Sequence, residues 1–295
     1  MSTTISRRFL QCDVFADVAG AGNGLAVVLD SENLSTEQMQ AFAKFTNMSE
    51  TTFVLPATTT EASYRVRIFT PMSELPFAGH PSVGTAHALL ESGLIKARDG
   101  KLVQECAAGL LPISVEGDGN KRCISVRAPR GKIIPHKENI QALLNAATSN
   151  MLPGNLTPSL VSNGPLWWCV ELANEAAVRE LKPLLSDIAI LTQASNAVGL
   201  AIFARCNASD YQLVVRAFCP ADSIPEDPVT GSANAAIAAL MHEKQVLADI
   251  GNSYTASQGR EVGRNGFVQV RVDHEGEVWI GGKTQTVIAG SLSWN

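Results

Sequence analysis

Short runs in which apolar and polar residues alternate, or which are apolar throughout, recur along the whole chain. Turn-forming stretches rich in glycine, aspartate and asparagine separate many of them, as at residues 20–24 and 116–120. This pattern is typical of β-strands. We predict strands at residues 6–15, 25–29, 52–55, 63–70, 101–106, 111–115, 123–127, 160–172, 197–205, 212–218, 267–272 and 278–280, and therefore a β-rich fold.

Three segments have the period of surface helices. Ser35 followed by Gln38 predicts a capping box, and Leu34 is placed to pack on Met39, so a helix should run to about residue 45. Residues 137–147 and 174–185 are also amphipathic. All three helices are expected to cover the outside of sheets.

Two further segments, residues 83–90 and 233–241, carry small or apolar side chains on nearly every helical face. A helix that is apolar all round is a buried one. The polar stretch 129–136 is the predicted linker between domains.

The chain contains an internal repeat. Residues 66–76 read VRIFTPMSELP and residues 215–225 read VRAFCPADSIP, an offset of 149 residues. Each copy leads through a glycine-bearing turn into one of the two predicted buried helices. The repeat indicates two similar halves, each a sheet wrapped around one central helix.

We therefore predict an N-terminal half at residues 1–128, completed by a C-terminal strand at about 284–295, and a C-terminal half at residues 129–283. Two halves also fit the length of 295 residues, which exceeds the size of most single cores. The cleft between the halves is the expected active site.

The composition of the chain excludes several classes of function. The chain is 45% hydrophobic and 17% charged, with a net charge of −5, which gives no basic surface for nucleic acid or anionic membranes. No run approaches the length of a membrane span, and no secretory leader precedes the first strand. Six scattered cysteines without CxxC spacing predict reduced thiols. We expect a cytoplasmic protein.

The candidate chemistry lies where the two buried helices begin. The turns at residues 77–81 and 226–232 place His80, Asp227 and Ser232 beside backbone N–H groups, which together can hold a small anion such as a carboxylate. His80 opposite Asp227 would supply a proton donor and acceptor. Glu50, at the entry to a strand, is a candidate base.

Each of these residues also has a plain structural interpretation. Glu50 alone is usually a solvated charge, His80 would serve equally as a hydrogen-bonded core histidine, and Asp227 before a proline commonly forms a turn. Gly231 and Ser232 would simply cap a helix.

Cofactor motifs are missing from the sequence. The Gly20-x-Gly-x-Gly24 segment lacks the strand and helix context of a dinucleotide site, and no phosphate-binding GxxxxGK[ST] loop occurs. We expect no organic cofactor and no metal.

Three motifs in order resemble the phenazine-biosynthesis PhzF-like isomerase family. They are SETTFV at 49–54, RIFTPMSELPFAGHPSVGT at 67–85 and EDPVTGSA at 226–233. The resemblance spans nearly the whole chain. It implies a diaminopimelate-epimerase-like α/β fold of two pseudo-symmetric halves, each a curved, mostly antiparallel sheet around a buried helix.

The resemblance also implies a cofactor-independent isomerase acting on a small carboxylate, like trans-2,3-dihydro-3-hydroxyanthranilate isomerase. Glu50 then matches the acid and base that moves the proton, assisted by His80 and Asp227. Gly79, Gly231 and Ser232 match the turns that bind substrate. The family often forms homodimers, which we expect here.

Two alternatives remain open. Related epimerases and racemases use one cysteine at each turn, where this chain has Ala78 and Thr230, so a two-thiol mechanism is disfavoured. A binding protein that has lost catalysis is the other alternative. The sequence departs from the family at Asn23-Gly24, where Asn-Pro is common, which concerns the shape of that loop.

Overall fold

The structure is a computed structural model that describes residues 5–294. The first four residues, on which the prediction about a leader partly depends, lie outside the described residues. The chain divides into unit 1, formed by Met1–Arg127 with Gly281–Asn295, and unit 2, formed by Ala128–Ile280. Each unit is described by itself.

Strands alternate with a smaller number of helices along the described chain. The strands are β1 (Ser6–Val14), β2 (Asn23–Val28), β3 (Glu50–Leu55), β4 (Tyr64–Phe69), β5 (Glu74–Leu75), β6 (Lys101–Cys106), β7 (Gly109–Glu116), β8 (Cys123–Arg127), β9 (Lys132–Ile134), β10 (Ser159–Ser162), β11 (Leu166–Glu171), β12 (Gly199–Arg205), β13 (Leu213–Cys219), β14 (Ile224–Asp227), β15 (Ser253–Gln258), β16 (Gly266–Val272), β17 (Val278–Gly282) and β18 (Thr284–Ser293). The α-helices are α1 (Thr36–Thr46), α2 (Gly79–Glu91), α3 (Glu138–Ala147), α4 (Glu175–Arg179), α5 (Leu185–Ser195) and α6 (Gly231–Glu243).

Unit 1 is built on a mixed sheet. β1 pairs antiparallel with both β18 and β2, β2 runs parallel to β3, and β3 pairs antiparallel with β4. β4 pairs antiparallel with the short β5 and parallel with β6, and β7 and β8 continue the sheet antiparallel. Helix α2 contacts β1, β2, β3, β8 and β18, so the sheet curves around it.

Unit 2 repeats this order of connections. β10 pairs antiparallel with β11, β11 runs parallel to β12, and β12 pairs antiparallel with β13. β13 pairs antiparallel with the short β14 and parallel with β15, and β15 pairs antiparallel with β16. This is the order of pairings from β1 to β7. Helix α6 contacts β9, β10, β11, β12 and β16. The internal repeat of the sequence thus corresponds to a repeated topology.

The central helices are buried, as the sequence predicts. Eleven of the thirteen residues of α2 and nine of the thirteen of α6 are buried. The capping box at the start of α1 is also confirmed: Ser35 accepts from the Gln38 backbone, and the Gln38 side chain accepts from the Ser35 backbone. Among the described helices, none has both the length and the apolar character needed to cross a membrane.

Three local predictions are wrong. The helix predicted at 174–185 ends at Arg179, and α5 begins only at Leu185, because Pro183 cannot continue a helix and disfavours helical backbone before it. The strand predicted at 160–172 is the hairpin β10–β11, turned at 163–165. The predicted linker 129–136 contains β9, which pairs with β10.

Candidate functional site

The first set of polar residues lies in unit 1, where β3 and α2 begin. Helix α1 ends at Asn47 in the left-handed conformation, which redirects the chain into β3, and Glu50 is the first residue of that strand. The parallel register pairs Glu50 with Leu25 of β2. Gly79 and His80 are the first two residues of α2.

Glu50 and His80 are brought together. The Oε2 atom of Glu50 lies 3.4 Å from Nε2 of His80, and the two side chains are 16% and 5% exposed. A carboxylate and an imidazole at this separation can exchange or share a proton after a small adjustment, and catalytic contacts are often long without substrate.

Burial lowers the pKa of His80 from 6.5 to about 3, because the interior disfavours the charged imidazolium. A backbone hydrogen bond with Gly24 acts in the opposite direction. Such a bond raises a histidine pKa when the ring donates, so the Gly24 carbonyl accepts. Burial is the larger of these two effects, so the ring is neutral at pH 7.

The Gly24 bond also determines which nitrogen of His80 carries the proton. Within the described residues, Nε2 has no hydrogen-bond partner, so Nδ1 is the nitrogen that donates to Gly24. The neutral ring then presents the lone pair of Nε2 toward Glu50. The Glu50 carboxyl group can donate to this lone pair whenever it holds a proton.

The glycine-rich loop before β2 holds in place the Gly24 backbone to which His80 bonds. Oδ2 of Asp13 accepts from the backbone N–H groups of Gly20 at 2.7 Å and Gly22 at 3.1 Å. A Cβ on Gly22 would lie 2.1 Å from the Val14 carbonyl oxygen, so only glycine fits there. The loop is therefore a braced turn that delivers Gly24 to the start of β2.

The second set of polar residues lies in unit 2, around the start of α6. Oγ1 of Thr230 donates to Oδ2 of Asp227 at 2.5 Å. Gln258, which is fully buried, donates from Nε2 to Thr230 Oγ1 at 2.9 Å and to the Asp227 carbonyl at 3.1 Å. Its Oε1 accepts from the Thr230 backbone and from Asn234 Nδ2, both at 3.0 Å. Asp227 is thus tied to Gln258 in two ways, directly through its carbonyl and indirectly through the hydroxyl of Thr230.

Gly231 and Ser232 are the first residues of α6, and the β10–β11 hairpin lies against them. Trp167 donates from Nε1 to Ser232 Oγ at 3.1 Å, and Asn163 donates from Nδ2 to the Ser232 carbonyl at 2.8 Å. Both hairpin side chains are buried.

The two helix starts share one property. Over the part of the chain that the structure describes, the N-cap residues Ala78 and Thr230 make no side-chain hydrogen bond to cap their helices. Neither position holds a thiol. Burial raises the pKa of Cys12 to about 12 and that of Cys123 to about 11, which removes nucleophilic character from them.

The structure therefore places Glu50, His80 and Gly79 in unit 1, and Asp227, Gly231 and Ser232 in unit 2. Among residues 5–294, no three histidine, cysteine, aspartate or glutamate side chains converge on a possible metal position.

Sequence reasoning missed the supporting residues Gln258, Asn163 and Trp167. The usable signal was the polar residue Asn163 in an Asn-Gly-Pro turn between two strands. Gln258 ends the mostly polar strand β15, SYTASQ, and offered no such signal.

Comparison with known proteins identifies the family. Residues 12–290 match the family model described as "Phenazine biosynthesis-like protein". The chain is 34% identical to trans-2,3-dihydro-3-hydroxyanthranilate isomerase of Pseudomonas aeruginosa over 273 residues, which cover 92% of each protein. It is also 34% identical to antisense-enhancing sequence 1 of Schizosaccharomyces pombe over 292 residues, which cover 96% of this chain and 97% of that protein.

Solved structures agree with the fold. A PhzF-family phenazine biosynthesis protein from Bacillus anthracis superposes with a TM-score of 0.81 at 27% identity, covering 98% of this chain and 99% of that one. A hydroxyproline epimerase from Agrobacterium vitis superposes with a TM-score of 0.67 at 14% identity over 99% of this chain and 94% of that one, a likeness of fold alone. The predicted fold class is confirmed, and the chain belongs to the PhzF-like family, a family of enzymes with isomerases among its relatives.

Proposed function

We propose that this protein is an isomerase that moves a proton from one carbon to another within a small carboxylated substrate, using Glu50 as both base and acid. The observation that carries the proposal is the buried contact between Glu50 Oε2 and His80 Nε2 at 3.4 Å. The family relationship to an isomerase of a dihydro-hydroxyanthranilate supports the reaction class.

The proton balance of the reaction needs one group. The Glu50 carboxylate removes a proton from a substrate carbon that is acidified by neighbouring unsaturation, and the electron pair left behind delocalises along the substrate. The same carboxyl group then returns the proton at another carbon, so the enzyme ends as it began. No oxidant or reductant is consumed.

His80 supports this cycle because it stays neutral. With its pKa at about 3, the ring carries no charge at neutral pH, and its Nε2 lone pair can accept from protonated Glu50. This hydrogen bond would hold the transferred proton in place between its removal and its return, and would orient the carboxyl group toward the substrate.

The residues at the start of α6 are suited to binding the carboxylate of the substrate. Gly231 and Ser232 supply backbone N–H groups and a hydroxyl at the positive end of a helix dipole, which favours a carboxylate. The carboxylate of Asp227, held by Thr230, is the second candidate proton carrier. That both sets serve one substrate stays a prediction, as do the expected homodimer and the cytoplasmic location.

The test is deuterium exchange. Small unsaturated carboxylates, including a dihydro-hydroxyanthranilate, are incubated with the protein in deuterated water and followed by proton NMR. We expect deuterium to enter one compound at carbon, with movement of a double bond. Replacing Glu50→Gln keeps the size of the side chain but removes the base, so exchange should fall by about 10²–10⁴-fold.

The matched control is Glu61→Gln, which makes the same chemical change at an exposed loop position of unit 1. This variant should exchange like the parent protein. Undiminished exchange in Glu50→Gln would exclude Glu50 as the proton carrier. Inversion at one carbon without movement of a double bond would instead identify an epimerase or racemase.

A further inference from the structure

The hairpin β10–β11 holds the first turn of α6 from one side. Two of its side chains bond to the same residue: Trp167 Nε1 donates to the hydroxyl of Ser232, and Asn163 Nδ2 donates to its carbonyl. The turn between the strands has Gly164 at φ +102°, and the Asn163 backbone N–H donates to the Pro165 carbonyl at 3.1 Å. The position of Asn163 is thus set by its own turn as well as by α6.

The bond from Trp167 determines how Ser232 can act. Because an indole N–H only donates, the Ser232 oxygen must be the acceptor in this 3.1 Å contact. The hydroxyl hydrogen remains available to donate elsewhere. Ser232 is therefore arranged as a hydrogen-bond donor, which suits an oxygen of a carboxylate.

The orientation of the Asn163 amide is fixed in the same way. A carbonyl oxygen only accepts, so the group facing Ser232 O at 2.8 Å must be the amide nitrogen, and Oδ1 faces away from that carbonyl. Within the described residues Oδ1 is buried and has no hydrogen-bond partner, in a side chain that is 2% exposed. The geometry of an amide keeps Oδ1 within about 5 Å of the Ser232 carbonyl oxygen.

A buried acceptor without a partner destabilises a folded protein, so its presence calls for an explanation. An apolar residue at position 163 would avoid this cost, although it would give up the bond to Ser232. The bond to Ser232 alone does not explain a buried asparagine, because many carbonyls at helix starts accept from a backbone N–H group of the helix itself. The acceptor atom itself is the feature that a ligand would use.

We propose that Asn163 is a specificity-determining residue whose Oδ1 accepts a hydrogen bond from an N–H or O–H group carried by the substrate next to its carboxylate. This inference rests on the proposed function, and specifically on carboxylate binding at Ser232. The pair then recognises two adjacent groups of opposite character, because Ser232 donates and Asn163 accepts. Amino- and hydroxy-substituted carboxylates fit this pair, and carboxylates without such a donor do not.

Three probes that differ in the donor beside the carboxylate test the proposal. 2-Aminobenzoate carries an N–H group beside its carboxylate, benzoate carries none, and 2-methoxybenzoate carries an ether oxygen there without a hydrogen. Binding of each to the full-length protein is measured by isothermal titration calorimetry. A single neutral hydrogen bond predicts that the parent protein binds 2-aminobenzoate about three- to tenfold more tightly than either of the other two.

Replacing Asn163→Ala should remove this preference and leave the affinity for benzoate within about twofold of the parent, because benzoate makes no bond to Oδ1. Asn150→Ala is the matched control. It removes another asparagine bond of the same kind, from Nδ2 to the Lys182 carbonyl at 2.8 Å in unit 2, and should leave the preference intact.

The possible outcomes distinguish a failure of the role of Asn163 from a failure of carboxylate binding at Ser232. Equal affinity of the parent for all three probes overturns the role of Asn163 and leaves carboxylate binding standing, without needing any variant to fold. An equal loss of affinity for every probe in Asn163→Ala assigns the residue a structural role only. If the parent binds none of the probes at millimolar concentration, carboxylate binding at Ser232 fails, and the inference fails with it.

Discussion

The starts of α2 and α6 have the same length of helix behind them and the same topology around them, yet their polar residues are held very differently. At α2, two ionisable side chains, Glu50 and His80, meet in a buried contact whose ring has a pKa far below its usual range. At α6, the carboxylate of Asp227 accepts from the Thr230 hydroxyl, and Gln258 donates both to that hydroxyl and to the Asp227 carbonyl.

This difference suggests different duties for the two repeats. A carboxyl group that gains and loses a proton in each cycle works best beside a neutral acceptor such as His80. A group that must keep its position works best where several bonds oppose its movement. The same framework occurs twice in the chain, and the residues at the two helix starts differ.

After the loss of the base in Glu50→Gln, the largest expected effect concerns the distance between Glu50 and the substrate. Replacing Glu50→Asp keeps the charge but withdraws the carboxylate by about 1.5 Å, one carbon–carbon bond. Because a misplacement of about 1 Å can cost about 10²-fold in rate, we expect deuterium exchange to slow by about that factor. Exchange within twofold of the parent would show that the position of the Glu50 carboxylate is not critical. It would contradict the proton-transfer role that the comparison assigns to the start of α2.

The second prediction concerns acid stability. The His80 pKa is about 3 in the folded protein and near 6.5 unfolded, so below pH 6.5 the unfolded state binds the proton that the folded state refuses. Stability that is present above pH 6.5 should therefore be lost as the pH falls toward 3, by an amount on the order of a few kcal/mol.

Urea unfolding at a series of pH values measures this loss. His80→Gln, which has no such titration, should flatten the pH dependence. His87→Gln serves for comparison, because burial lowers the pKa of His87 less far, to about 4, and its contribution should be smaller. A His80→Gln variant that loses stability with acid as steeply as the parent would contradict a buried, neutral His80.

The third prediction compares the two buried glutamines. Gln258 makes four hydrogen bonds around α6, whereas Gln104 in unit 1 makes two, with Tyr64 and Ser82. Gln258→Ala should therefore cost more unfolding free energy than Gln104→Ala, by about 1–3 kcal/mol, since it leaves more buried groups unpaired. Equal losses in thermal or urea unfolding would mean that the two helix starts are braced alike.

The smallest expected effect is at Thr230. Replacing Thr230→Val keeps the shape but removes both the donor to Asp227 and the acceptor of Gln258 Nε2, so we expect about 1–2 kcal/mol of lost stability. Loss of the bond to Asp227 should slow exchange about three- to tenfold. Ser82→Ala removes a hydroxyl at the start of α2 and is the matched variant. If both variants slow exchange equally, the effect belongs to helix starts in general and not to Asp227.

Much of the fold could be predicted because its signals are local or repeated. The alternation of apolar residues marks most strands, the capping box marks α1, and the repeat at 66 and 215 indicates the duplicated topology that the pairings of β1–β7 and β10–β16 display. The two central helices could be predicted as buried because their sequences lack a polar face.

The misses have physical causes that periodicity does not register. At 174–185 the helical period continues through Pro183, whose ring cannot. At 160–172 an apolar run hides a turn, because Asn163-Gly164-Pro165 is short beside its flanking strands. β9 is only three residues long, Lys132–Ile134, so its two isoleucines are too short a run to show alternation among the residues around them.

The candidate residues at the helix starts could be singled out from their turns, but their supporting partners could not. Gln258 reaches Thr230 across 28 residues of sequence, and Asn163 reaches Ser232 across 69. Such contacts depend on how strands are ordered in the sheet, which no local pattern specifies. The burial that lowers the pKa of His80 has the same origin.

The strand β18 has a consequence for how the molecule is made. It borders β1 through nine residue pairs, and the buried Arg7 donates to the Trp294 carbonyl at 3.2 Å, so the beginning and the end of the chain close the same sheet. Unit 2 is contiguous and is fully synthesised before β18 exists. One edge of β1 must therefore wait for its partner throughout translation, exposed to the mispairing that open strand edges invite. β1 is thus synthesised before unit 2, yet the unit to which it belongs is completed after unit 2.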